Sequence, residues 1–129
     1  MPSRLNAVGQ NTAPCRVLTV LPTRWHRQAV QAVCRVRDPG CVVTDVPSVT
    51  DAVLVLLSEP VDVVVVDTGL AGDMLGVLQH HARRSAPRAK MGLFSAELHS
   101  GSPAATGDLS QGHPWSDMEA ILDRLLQDA

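Results

Sequence analysis

The sequence predicts a three-layer α/β sandwich, a five-stranded parallel sheet with helices on both faces. Three observations carry this. Short β-branched runs alternate with amphipathic stretches along most of the chain, and right-handed crossovers turn that order into a parallel sheet. Val63 to Val66 are four consecutive valines, apolar on both faces as a strand covered from both sides requires. The run ends in Asp67 and a glycine-bearing turn, so a carboxylate falls at the carboxyl edge of the sheet, where ligands gather in such folds.

Residues 1–14 are polar and without periodicity, the pattern of a loose arm; residues 15–129 read as one domain. Arg16–Leu21 is a buried-type strand stopped by Pro22. Thr23 is placed to cap a helix from Arg24 to Arg37, with Trp25, Ala29, Val30, Val33 and Val36 at helical spacing. Cys41–Val46 is the second strand. A helix capped by Ser48 or Thr50 follows to Ser58, with Ala52, Val53, Leu56 and Leu57 inward. After the valine strand and the Gly69–Gly72 turn, a third helix runs from Asp73 to Ser85. Ala89–Phe94 is the fourth strand. Leu98–Gly112 is rich in helix-poor residues and predicts a short fifth strand near Asp108–Ser110. Ser116 and Glu119 form a capping-box pattern for a last helix, Asp117–Leu126.

A chain of 129 residues with 45% apolar content is long enough for a core. Aromatic content is only 2%, two tryptophans and one phenylalanine, so aliphatic side chains must do the packing. The net charge of −2, with no basic face, argues against nucleic acid and anionic membrane surfaces as partners. No apolar run approaches the ~18 residues of a membrane span. Cys15, Cys34 and Cys41 are odd in number and lack metal-ligand spacing, so they read as free thiols in a reducing cytoplasm. His80 and His81 are neighbours on a helix and diverge by about 100°, which argues against a shared zinc. Nucleotide-loop and nucleophile-elbow motifs are absent from the sequence, and no enzymatic activity is expected.

The order of these elements and their motifs resembles the receiver domain of two-component response regulators, with its flavodoxin-like, CheY-like fold, over about Arg16 to Leu126. Ser48–Gly72 is similar to that family's second helix, Pro-x-Asp lead-in and third strand ending in the phosphoacceptor aspartate. Ser95-Ala96-Glu97 resembles the Thr/Ser-Ala step after the fourth strand. His113-Pro114-Trp115 resembles the Lys-Pro-aromatic step after the fifth, where a cis peptide precedes the proline. The resemblance implies Asp67 as phosphoacceptor, Gly69 as the carbonyl donor to magnesium, and Ser95 as the switch hydroxyl. Trp115 is expected beside the pocket.

Two required features of the family differ. Leu21-Pro22 stands where an acidic pair holds magnesium, and neither residue has a side-chain oxygen. His113 stands where the family has a lysine, and histidine is only partly charged near neutral pH; Lys90 starts the fourth strand, at the opposite sheet edge. These departures imply a degenerate receiver, a pseudo-receiver without magnesium or other cofactor, working through contact with a histidine kinase or other signalling protein, or as a homodimer. The alternative is a single-domain response regulator phosphorylated on Asp67 by a histidine kinase.

Overall fold

The computed structural model describes residues 14–95 and 112–127. The arm over residues 1–13, the fifth strand expected at Asp108–Ser110, and Ala96-Glu97 lie outside these residues.

Five strands form one parallel sheet: β1 (Arg16–Val20), β2 (Val42–Val46), β3 (Val63–Asp67), β4 (Lys90–Ser95) and β5 (Gly112–Pro114), in the order β2-β1-β3-β4-β5. That is the order of doubly wound flavodoxin-like sheets, and it puts β3 in the middle. Every residue of β3 is buried. The register sets Val17 beside Val63, Asp67 beside Phe94, and Phe94 beside His113. Asp62, just before β3, ties the amino-terminal ends together. Its carboxylate accepts from the Arg16 N–H at 2.9 Å, and its carbonyl accepts from that of Lys90, also at 2.9 Å.

Alternation along the strands divides the core into two layers. Val17, Val63, Val65 and Phe94 face Val30 and Cys34 of α1 (Arg24–Arg37) and Ile121, Leu122 and Leu125 of α5 (Met118–Gln127). Leu18, Val20, Val64, Val66 and Leu93 face Ala52 and Leu56 of α2 (Val49–Ser58) and Leu78 and Ala82 of α4 (Leu75–Ser85). Thr23 and Ser48 cap α1 and α2, accepting from the N–H groups of His26 and Asp51. Among the described residues no helix is long and apolar enough to cross a membrane.

Several expected details differ. The inner stripe of α1 centres on Val30 and Cys34, so Val36, two residues or about 200° further round, is exposed, as is Trp25. In α2 the stripe is Val49, Ala52 and Leu56, which leaves Leu57 exposed. The Gly69–Gly72 turn is already helical: α3 (Thr68–Ala71) and a 3₁₀ turn (Gly72–Met74) lead into α4.

His113 and Pro114 do not follow the last strand; they are the last strand. As the sheet's edge, β5 tolerates a proline that cannot donate to a ladder. No peptide bond among the described residues is cis, so the His113–Pro114 bond keeps the trans form that lets β5 run extended beside Ser95. Nor does Ser116 cap α5. It sits in a 3₁₀ turn, Trp115–Asp117, whose closing bond runs from the Met118 N–H to the Trp115 carbonyl.

Candidate functional site

Asp67 is at the carboxyl end of the central strand and is 7% exposed. A buried carboxylate needs donors, and two reach it. The Leu70 N–H donates to Oδ1 at 2.9 Å, which makes Asp67 the N-cap of α3. The indole N–H of Trp115 donates to Oδ2 at 2.8 Å. Gly69 leaves room for the first of these bonds, since a Cβ there would lie 3.1 Å from Oδ1.

Trp115 packs against two rings. One face stacks on Phe94, with ring centroids 4.9 Å apart and planes 25° apart. His26 packs against it at 4.4 Å, and Trp25 meets His26 edge-on at 5.1 Å. His26 is itself fixed by Thr23, whose hydroxyl lies 2.6 Å from Nδ1. The chain's only phenylalanine and both tryptophans therefore form one ladder at the end of the sheet where Asp67 sits. Aromatic pairs at these separations add about 0.5–1.5 kcal/mol each beyond burial.

The remaining expected residues are placed as follows. His113 is fully buried in β5, 6.4 Å from the Phe94 ring, and neither ring nitrogen has a hydrogen-bond partner among the described residues. Pro114 is buried next to it and pairs with Ser95, which ends β4. The register sets Phe94, not Ser95, beside Asp67. Leu21 is buried and Pro22 exposed just after β1. Lys90 pairs with Val63 at the far end of the strands.

Magnesium takes a near-octahedral shell of oxygen ligands. Here Leu21-Pro22 offers no side-chain oxygen, and both Asp67 oxygens already accept hydrogen bonds. No three His, Cys, Asp or Glu side chains converge on a metal position among the described residues. These residues do not fit a magnesium site.

No family model matches the sequence, and no curated protein matches it significantly. Solved structures do match the fold. A response regulator from Thermotoga maritima is 24% identical with a TM-score of 0.56, covering 67% of this chain and 71% of its own. The signal receiver domain of an HD domain-containing protein from Pseudomonas fluorescens is 15% identical with a TM-score of 0.65, covering 89% and 96%. The structure of the histidine kinase ThkA in complex with the response regulator protein TrrA gives 17% identity and a TM-score of 0.61, covering 87% and 98%. The fold is the receiver fold.

On that receiver fold the sequence located Asp67 and the place of Trp115, but not the ladder. The register carried a usable signal: aligning Val63 with Lys90 brings Phe94 level with Asp67. His26 had only a weak one, a histidine three residues into a helix whose cap is a threonine.

Proposed function

We propose that the chain is a degenerate receiver, a signalling module that acts through contact with another protein and without magnesium-dependent phosphorylation. The observation that carries this reading is the Trp115 indole on Asp67 Oδ2. Phosphoryl transfer needs a carboxylate oxygen free to attack and cationic groups to take up charge on the transferring oxygens. Here Leu70 and Trp115 engage both oxygens, and Leu21-Pro22 stands where the metal ligands would be. The ThkA–TrrA complex supports a protein partner such as a histidine kinase; a second copy of the chain is the other partner within this reading.

The test is acyl-phosphate formation with a small phosphodonor such as acetyl phosphate and magnesium. The native chain should show no stoichiometric labelling, and partner binding should not depend on phosphodonor. Rapid labelling of the native chain, abolished in Asp67→Asn, would overturn the proposal.

That result would favour the second reading, a single-domain response regulator phosphorylated on Asp67 by a histidine kinase. What supports it is the burial of Asp67 at the carboxyl edge of the central strand, with Gly69 and Ser95 at matching positions in the sequence. Under it, partner binding appears only after phosphodonor treatment.

A further inference from the structure

At the opposite end of the sheet the fold gathers all three cysteines of the chain. Cys15 immediately precedes β1 and Cys41 immediately precedes β2. Arg16 pairs with Val42, and the Val42 N–H donates to the Cys15 carbonyl at 2.9 Å, so Cys15 and Cys41 continue the ladder by one step. By strand alternation both point to the layer of α1, where Cys34 is fully buried, and all three pack in the same core cluster. Asp38 fixes this corner, its carboxylate accepting from the Cys15 N–H and its carbonyl accepting from that of Cys41. Cys15 and Cys41 are partly exposed.

We propose that Cys15 and Cys41 are a thiol pair that closes to a disulfide, with Cys34 remaining a buried reduced thiol. Neighbouring strands lie about 4.7–4.9 Å apart, inside the ~4.4–6.8 Å Cα separation that a disulfide accepts. Both residues lie just before the regular strands, each one step ahead of its first residue. The oxidant is a low-molecular-weight disulfide. One cysteine thiolate attacks it, the S–S bond breaks and one small thiol leaves. The second cysteine then attacks the mixed disulfide and displaces the second small thiol. Two protein S–H bonds are thus replaced by one S–S bond, and the small disulfide is reduced to two thiols.

The surroundings set the character of the pair. Burial, then the neighbouring thiol, Asp62 and Asp38 push Cys15 up to about 12. Burial, then Cys34 and Asp38 push Cys41 up to about 11. Burial, then Cys15, raise Cys34 to about 11, opposed by a side-chain hydrogen bond with Cys41 and by the Arg35 charge. Thiols held this high are slow to attack and poor leaving groups. The bridge therefore forms slowly and, once formed, resists reduction.

Incubation of the full chain with excess glutathione disulfide tests this. The native protein should lose about 2 Da, the two thiol hydrogens, and two of its three alkylatable thiols. Trypsin puts the cysteines on separate peptides, residues 5–16, 28–35 and 38–83, and the first and third should be joined. Cys34→Ala should behave like the native chain. Three alkylatable thiols after full incubation, a mixed disulfide that never closes, a bridge that includes Cys34, a bridge between two chains, or closure only in denaturant would each overturn the proposal.

Discussion

Trp115 shows how one side chain decides the state of another. Its indole reaches an acceptor 48 residues away in the chain, and a donor to a carboxylate contributes about 1.5–3 kcal/mol. Trp115→Phe keeps the stack on Phe94 and removes only the N–H. It should lower the unfolding free energy by about 1–2 kcal/mol, seen as a lower urea midpoint at unchanged slope. An unchanged midpoint would mean that the bond adds nothing to stability. His113 presents the reverse case, a buried imidazole with neither nitrogen bonded among the described residues. Unpaired buried polar groups cost about 1–3 kcal/mol, so His113→Leu should raise thermal stability; a fall would show that the ring nitrogens have partners in solution. The valine run made Asp67 legible in the sequence because local pattern fixes a strand and its end. Trp115 was expected nearby, but its hydrogen bond to Asp67 was not legible, because pairing at that distance depends on where β5 joins the sheet.

Among the elements, α5 packs closely on β4 at Gly92. A Cβ on Gly92 would come within 2.9 Å of the Leu125 side chain and 3.2 Å of the Phe94 ring. Leu125 is 1% exposed and has little freedom to yield, so Gly92→Ala should cost about 1–3 kcal/mol by overpacking. Calorimetry would check it, and no loss of stability would mean that α5 shifts freely. Gly72 is special for its backbone. Its φ of 51° and ψ of −131° end α3 in a conformation that L side chains avoid, and Gly72→Ala should cost about 1–3 kcal/mol. Helices α1, α2, α4 and α5 and four of the strands were legible, chiefly from apolar spacing, whereas α3 was read as a turn. A strand at His113-Pro114 was not expected, because these residues carry no strand signal of their own; they run extended beside β4.

For the whole molecule, the three raised thiols bear on alkaline stability. Each keeps its proton in the folded chain above the ordinary thiol value of 9.0, toward about 11 or 12. Unfolding between those limits releases protons, so stability should be full below pH 9 and fall as pH rises toward 11–12. The chain has one lysine and no tyrosine, so few other groups titrate in that window. The melting temperature under reducing conditions should therefore decline through it, and less so in the Cys15→Ala, Cys41→Ala double variant. An equal decline in both would assign the effect to other groups.

The aromatic ladder also determines what light can report. With no tyrosine and both tryptophans at one end, near-ultraviolet absorption and emission see that end alone, while far-ultraviolet circular dichroism sees every helix. If the ladder end opens before the rest of the sheet, the two signals will part on heating; if the chain unfolds as one unit, they will coincide. The protein carries its own local probe of the surroundings of Asp67.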